Sequence, residues 1–417
     1  MPRKSAVFPR FLAPRLREAL VDTPAVLIHG PRQSGKTTLA RMVGARRGYH
    51  YISFDDDAAR AGAERDPAGF VAGLPGRTIL DEIQRVPALF FALKADIDRQ
   101  RAPGRFMLTG SANILLLPRL ADSLAGRMGI LRLHPLAQCE LARVKPGFLD
   151  AVFNAAFPTR ATERLGPALA QRVVAGGYPA ALARRMATRR AAWYRDYVET
   201  LVQRDVQDLS RVRALDVLPR LLEATASHTA RLLNVSDLAG PFQLTRQTIH
   251  DYVTLLERVF LIDRLPPWHS NRLSRLVKTP KLHIGDTGLA CALTGIDAER
   301  LHRDREVLGP LLETFVLQEL KRQASWHPSP ISFFHFRDRD GMEVDIVLEQ
   351  GAHAVAGVEV KASATVSDAD FRGLRKLKSA AGRRFSGGVV LYDGETSSSF
   401  GDGMFAVPIR RLWETLR

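Results

Sequence analysis

The stretch that most constrains this chain runs from Gly30 through Pro31, Arg32, Gln33, Ser34, Gly35, Lys36 and Thr37 to Thr38. It satisfies G-x-x-x-x-G-K-[ST] in the context the pattern requires. Val26-Leu27-Ile28 reads as a buried strand entering the loop, and Thr37-Thr38-Leu39-Ala40-Arg41-Met42 as a helix leaving it. The glycines let successive N–H groups turn inward as an anion nest at a helix N-terminus. Residues 30–38 are therefore expected to cradle a nucleotide, with ATP and Mg²⁺ as the ligand pair. Lys36 would reach the β- and γ-phosphates, and the Thr37 hydroxyl would ligate Mg²⁺. A chance glycine-rich turn is the alternative, and the flanking strand and helix argue against it.

A second stretch completes the pattern. Arg77-Thr78-Ile79-Leu80-Asp81-Glu82 is an apolar strand ending in two acids, which places Asp81 at the carboxyl edge of a parallel sheet beside the loop. Asp81 would hold Mg²⁺ through water and Glu82 would orient the hydrolytic water. Taken alone, two acids after a strand are more simply a solvated strand end. Tyr49–Phe54 reads as another strand, closed by Asp55-Asp56-Asp57, which a solvated end also explains. Arg105–Asn113 supplies a strand with a polar tip, from which Ser111 or Asn113 would sense the γ-phosphate. Arg127, in Leu124-Ala125-Gly126-Arg127, is a candidate phosphate-sensing or intersubunit arginine. Near the start, Phe11, Leu12, Leu16 and Leu20 lie at helical spacing with Arg10, Arg15 and Arg17 between them, which predicts an amphipathic helix beside the first strand. These units make an α/β fold, an open parallel P-loop NTPase sheet with ligand at its carboxyl edge.

The motifs Gly-Pro-Arg-Gln-Ser-Gly-Lys-Thr-Thr, Ile-Leu-Asp-Glu-Ile-Gln, Leu-Thr-Gly-Ser and Leu-Ala-Gly-Arg together resemble prokaryotic AAA+-type ATPases. The similarity is to the subgroup whose ATPase is followed by a conserved C-terminal domain of unknown function. Gly176-Gly177-Tyr178-Pro179, the run from Lys281 to Leu289, and Glu343-Val344-Asp345 fit the same resemblance, which spans nearly the whole chain. It implies ATP hydrolysis and a helical lid, and residues 160–225 are helical in pattern. Arg204 and Asp205, in that region, are a candidate functional arginine with its acid or simply a helical surface pair.

Downstream, Leu232–Gly240 followed by Thr245–Leu256 reads as a helix-turn-helix, with Phe260-Leu261-Ile262 opening a wing or hairpin. Arg246, Gln247, Thr248 and His250 are placed to meet a major groove. Such a module also serves as packing between domains. From residue 306 the pattern gives a helix over 308–322 with Glu313 and Glu319, then strands at 331–336, 342–348 and 355–361, then a second helix. Asp345 on one strand and Glu359-Val360-Lys361 on the next resemble the core of PD-(D/E)XK nucleases, a restriction-endonuclease-like domain. The resemblance implies that Asp345 and Glu359 ligate Mg²⁺, Lys361 positions the attacking water and Glu313 completes the cluster. The alternatives are an exposed strand face, or a scaffold retained for binding alone.

A chain of 417 residues exceeds one core, and the boundaries implied are an ATPase over 1–150, a helical lid and connector over 151–225, a winged-helix-like module over 226–300 and a nuclease-like domain over 301–417. The formal net charge of +16 points to a polyanion such as nucleic acid, DNA first, or to a surface solvated by arginine. A second copy of the chain or another protein is the other expected partner. Cys139 and Cys291 are too few and too far apart for a disulfide framework. No run approaches the roughly 20 apolar residues that span a bilayer, so no membrane and a cytoplasmic setting are expected. The function implied is ATP-dependent binding and metal-dependent cleavage of nucleic acid. An ATP-gated regulatory or protein-interaction switch with an inactive nuclease-like domain is the alternative.

Overall fold

Alternating apolar strands and helices in the first third of the chain produce a parallel sheet. In the computed structural model, which describes residues 8–112, 126–202, 217–271, 275 and 279–416, its strands are β1 (Ala25–His29), β2 (His50–Ser53), β3 (Thr78–Asp81), β4 (Phe106–Gly110) and β5 (Met128–Arg132). They lie in the order β2-β3-β4-β1-β5, every pairing parallel. β1, β3 and β4 are buried along their whole length, as strands covered by helices on both faces must be. The register aligns their carboxyl ends, His29 lying between Gly110 and Arg132, and Asp81 beside Ser53. The N-terminal helix spans Ala13–Asp22, and Leu12, Leu16 and Leu20 pack with Val26 and Ile28 of β1. The acidic triplet after β2 is structural: Asp56 caps the helix Asp57–Arg65 by accepting from Ala58 and Ala59, and Asp55 pairs with Arg85 at 3.0 Å.

Helices Pro167–Ala175, Ala187–Leu201 and Val217–Ser227 follow. Arg204 and Asp205 fall outside the described residues. Next come β6 (Arg231–Leu232), short helix Val235–Ala239, helix Arg246–Arg258, β7 (Ile262–Leu265) and β8 (Lys281–Ile284), with an antiparallel sheet in the order β6-β8-β7. Helix Arg246–Arg258 starts where it does because the Thr245 hydroxyl accepts from the Thr248 N–H at 3.1 Å. Its Ile249, Tyr252, Val253 and Leu256 are buried, whereas Arg246, Gln247 and His250 are exposed.

The C-terminal sheet holds β9 (Ile331–Arg337), β10 (Glu343–Gln350), β11 (Ala354–Lys361), β12 (Phe385–Tyr392), β13 (Ser398–Ser399) and β14 (Met404–Pro408), in the order β13-β14-β12-β11-β10-β9. It is mixed: β12 is parallel to both β11 and β14, and the other pairings are antiparallel. The sequence pattern anticipates β9 to β11 and misses β12 to β14, of which β12 is the long central strand Phe-Ser-Gly-Gly-Val-Val-Leu-Tyr. Helix Arg372–Ala381 covers one face through Leu374 and Leu377.

Helix Arg305–Ala324 is the element on which the three layers meet. Leu308, Leu312, Phe315, Val316 and Leu320 are buried, and so are Glu313, Thr314, Gln318, Glu319, Arg322 and Gln323. A helix buried on nearly every side needs partners for the polar groups it carries: Gln318 donates to Asp263, Gln323 to the Leu412 carbonyl, and Thr314 bonds to Thr229. A single apolar cluster extends from Ala137 to Trp413, so the regions expected to be separate units behind the ATPase share one core. Among the described residues, no helix is long and apolar enough to cross a membrane.

Candidate nucleotide site and C-terminal acidic cluster

The phosphate loop closes at the carboxyl end of β1. Gly30 is required there because a Cβ would stand 2.1 Å from the Leu133 carbonyl oxygen, and Gly35 because it turns into the helix Lys36–Ala45 at φ 96°. Lys36 is buried at 4% exposure and its Nζ donates to the carbonyls of Gly30 and Pro31, both at 3.0 Å. The Thr37 hydroxyl donates to Asp81 at 2.9 and 3.1 Å. Asp81 also accepts from Tyr51 at 2.7 Å and from Thr109. Burial, with the bond and charge of Asp81, pushes the Tyr51 phenol up to about 12. Pro31, Arg32, Gln33, Ser34 and Thr38 complete the loop and the first turn, with Ser34 buried and Gln33 and Thr38 exposed.

Glu82 sits in the left-handed region at φ 57°, a costly conformation for a glutamate that marks a site holding backbone strain. Thr109 accepts its N–H at 3.1 Å. Gln84 Nε2 donates to Glu82 at 2.5 Å and to Ser111 Oγ at 3.0 Å, joining all three side chains. Burial would raise the Glu82 pKa, but the Lys36 charge and the hydrogen bonds from Gln84 and Ser111 carry it below the ordinary carboxylate value. Glu82 is therefore ionised at neutral pH. Gln84 is a functional residue that the sequence pattern does not single out, although it is the last letter of Ile-Leu-Asp-Glu-Ile-Gln.

Arg127 is not at this edge. It precedes β5 at the amino-terminal end of the sheet and pairs with Asp98 at 2.5 Å, because β5 runs parallel to β1 and its start lies beside Ala25. A phosphate-sensing role toward the loop of its own chain is therefore corrected. Asn113 lies outside the described residues.

A family model for an AAA domain matches residues 22–142, and two models for domains of unknown function, DUF8612 and DUF4143, match 166–300 and 308–412. Two relatives, uncharacterized protein Rv2008c of Mycobacterium tuberculosis and uncharacterized protein Mb2031c of Mycobacterium bovis, are each 31% identical over 409 residues, which is 97% of this chain and 85% of theirs. The chain belongs to their family. Its N-terminal third is an AAA-type ATPase domain. Among solved structures, the Walker-type ATPase PABY2304 of Pyrococcus abyssi is 15% identical with a TM-score of 0.46, covering 70% of this chain and 97% of its own. The RuvB Holliday junction branch migration motor of Thermotoga maritima is 18% identical with a TM-score of 0.29, covering 62% and 90%. With TM-scores below 0.5, neither likeness supports an assignment.

In this family member the four residues expected to form a nuclease-like site do come together. The antiparallel register of β10 and β11, with Ile346 opposite Val358, brings Asp345 and Glu359 to one face. Asp345 accepts from the Val360 N–H at 2.9 Å, and Lys361 donates to Glu359 at 2.9 Å. Glu313 reaches the same cluster from the helix. What the sequence does not foretell is Lys281 of β8, whose Nζ lies 3.0 Å from Glu313 and 3.5 Å from both Glu343 and Asp345. Burial alone would lower the Lys281 pKa; Asp345, Glu313 and Glu343 instead hold it above the ordinary lysine value, so it stays an ammonium. Burial and the charge of Asp345 raise the Glu313 pKa, and the same two causes push Glu359 up to about 8. Among the described residues, no group of three or more His, Cys, Asp or Glu is arranged to hold a metal ion. The oxygen donors expected to hold Mg²⁺, Asp345 and Glu359, are therefore side by side, and a lysine ammonium stands among them.

The hairpin behind the helix-turn-helix is likewise committed inward. After β7 the chain runs beside the edge strand β9, with Trp268 N–H donating to the His335 carbonyl at 2.6 Å and His335 N–H to that of Pro266 at 2.9 Å. Buried Trp268 donates its ring N–H to Glu349 at 2.9 Å, and Arg275 grips the same carboxylate at 2.8 and 3.2 Å. Pro266 to Trp268, at the start of the connection from β7 to β8, thus cover a sheet edge.

Proposed function

We propose that this protein binds and hydrolyses ATP and transmits its nucleotide state to a C-terminal half that does not cut nucleic acid. The observation behind the first part is the loop itself. Lys36 rests on two neutral carbonyls it can surrender to phosphate, with Thr37, Asp81 and Glu82 converging on the same edge. The donor set of Thr37 hydroxyl and Asp81 carboxylate is hard oxygen, which fits Mg²⁺. Bound there, the ion would neutralise phosphate charge. Glu82, ionised and steadied by Gln84 and Ser111, orients and accepts a proton from the attacking water. In Lys36→Ala we expect nucleotide binding to vanish. In Glu82→Gln binding should persist while phosphate release stops; full turnover in that variant would overturn the assignment.

The second part rests on Lys281. A buried ammonium among Glu313, Glu343 and Asp345 repels the divalent ion that strand scission needs. This favours the nuclease-like fold as a binding or switching scaffold. Purified protein incubated with DNA, RNA and Mn²⁺ or Mg²⁺ should leave the strands intact; cleavage abolished by Asp345→Ala would reverse this reading.

A nucleic-acid partner keeps one specific support. The order of helices and strands from Val217 to Ile284 supports a winged-helix reading, and Arg246, Gln247 and His250 are exposed at the start of helix Arg246–Arg258. Contact would be made by that helix. We retain 1–150, 151–225, 226–300 and 301–417 as sequence units, a second copy or another protein as partner, and a cytoplasmic setting.

A further inference from the structure

Two side chains from outside the loop hold its backbone, and both lead to the same buried polar hub. Arg10, ahead of the N-terminal helix, donates from Nη1 to the Ser34 carbonyl at 2.7 Å, from Nη2 to that of His134 at 2.6 Å, and from Nε to Glu140 at 3.1 Å. Its side chain is 8% exposed and that of Glu140 is fully buried. On the other side, Tyr197 of helix Ala187–Leu201 donates its hydroxyl to the Arg32 carbonyl at 3.3 Å.

These contacts have a definite effect on the peptide planes. In a trans peptide the carbonyl and the following N–H point in opposite directions. Drawing the Ser34 and Arg32 carbonyls outward turns the N–H groups of Gly35 and Gln33 the other way, as an anion nest needs.

The hub behind them is continuous. Glu140 also accepts from the Phe11 and Ala137 N–H groups at 2.9 and 3.1 Å. One residue on, the Gln138 N–H donates to Glu319 of the central helix at 2.9 Å, and Glu319 accepts from Arg322 at 2.6 Å. Arg322 reaches Asp286 at 3.1 Å, and Asp286 accepts from the Gly177 N–H at 2.8 Å and from Tyr194 at 3.0 Å. Tyr194 packs edge-on against Tyr178, whose hydroxyl lies 3.4 Å from that of Tyr197. The path therefore returns to the loop from its other side.

We propose that Arg10 and Tyr197 are positioning residues for the phosphate loop, and that through them nucleotide affinity depends on the seating of Arg322 and Asp286. The inference rests on the nucleotide reading above. Coupling of this kind is reciprocal, so bound nucleotide equally stabilises the seating of the central helix.

The test uses the full chain and a fluorescent ADP analogue with Mg²⁺, measuring Kd beside a thermal melt. Tyr197→Phe removes a single oxygen and should weaken binding about fivefold, the effect of one net hydrogen bond. Arg10→Lys keeps the charge, loses the fork and should weaken binding about tenfold or more. Asp286→Asn should weaken binding in the wild-type background and change it much less on top of Arg10→Lys combined with Tyr197→Phe, because both arms of the path are then cut. Guanidinium ion added to Arg10→Ala should recover affinity. Wild-type Kd in both Tyr197→Phe and Arg10→Lys overturns the proposal, as does a lowered melting temperature with Kd unchanged, which would make the residues structural only. Should Arg10 variants fail to fold, Tyr197→Phe and Asp286→Asn decide alone. Absence of binding by the wild type itself would instead sink the nucleotide reading.

Discussion

The phosphate loop and the C-terminal cluster each place a buried lysine beside acids, and the two lysines are held in opposite ways. Lys36 donates to the neutral carbonyls of Gly30 and Pro31, whereas Lys281 lies among the carboxylates of Glu313, Glu343 and Asp345. A carbonyl competes weakly with a phosphate for an ammonium; three carboxylates, Glu313 and Asp345 largely buried and Glu343 at the rim, compete strongly. The first arrangement is built to exchange its partner, the second to keep it. Residue type alone does not separate a ligand site from an ionic lock; the charge state of the lysine's partners does.

That contrast can be broken most directly by removing each ammonium. Lys36→Ala should abolish nucleotide binding, a loss of about 100-fold or more in affinity, with a smaller fall in thermal stability than Lys281→Met, since its hydrogen bonds to Gly30 and Pro31 go to neutral carbonyls and Glu82 loses only a favourable neighbouring charge. Equal losses of binding and stability would show that the two lysines are alike after all. Lys281→Met should do the reverse. Leaving the buried carboxylates uncompensated costs about 3–5 kcal/mol, readable as a fall in denaturation midpoint, with nucleotide affinity retained. If Lys281→Met melts as the wild type does, the lock is not one. The same variant should gain Mn²⁺ binding by calorimetry, because the repelling charge has gone.

Protonation sharpens the comparison further. Glu359 is raised to about 8 against an ordinary 4.5, chiefly by burial and by Asp345. The folded state thus holds a proton that the unfolded chain has released. Stability from this group is fully present below about 4.5 and is lost as pH rises through about 8, by an amount on the order of a few kcal/mol at most. Glu359→Gln should flatten the denaturation midpoint across that window. A slope unchanged by the substitution would place the titrating group elsewhere. Glu82, depressed below its ordinary value, adds no slope of that sign near neutrality.

The smallest effect concerns the exposed helix. If nucleic acid meets it, log K should fall with log salt at about −0.9 per phosphate neutralised, and Arg246→Ala should lower the slope by about one. Binding indifferent to salt would assign the charge of +16 to arginine solvation.

How much of this was legible beforehand depends on how local each feature is. The loop, its entering strand and its leaving helix are contiguous, so Gly30 to Thr38 announce their geometry in the sequence, and an apolar strand ending in Asp81 and Glu82 adds the second half. The shared face of Glu359 and Lys361 was readable from a period of two, and Asp345 was joined to them only by the resemblance to a nuclease core. β12 escaped notice because it is buried on both faces and carries Gly387-Gly388, so it shows no alternation.

Everything that distinguishes the two lysines was decided by tertiary structure. Lys281 precedes Glu313 by 32 residues and Asp345 by 64, and no pattern of spacing ties a strand of one module to the acids of another. Arg10 reaches Glu140 across 130 residues for the same reason. Arg127 looked like a phosphate sensor beside Leu-Ala-Gly, and only the parallel direction of β5 sends it to the far edge. Periodicity in a sequence reports which face of an element is buried. It does not report which distant charge will be buried against it, and in this chain that pairing sets Lys281 among carboxylates and leaves Lys36 on carbonyls.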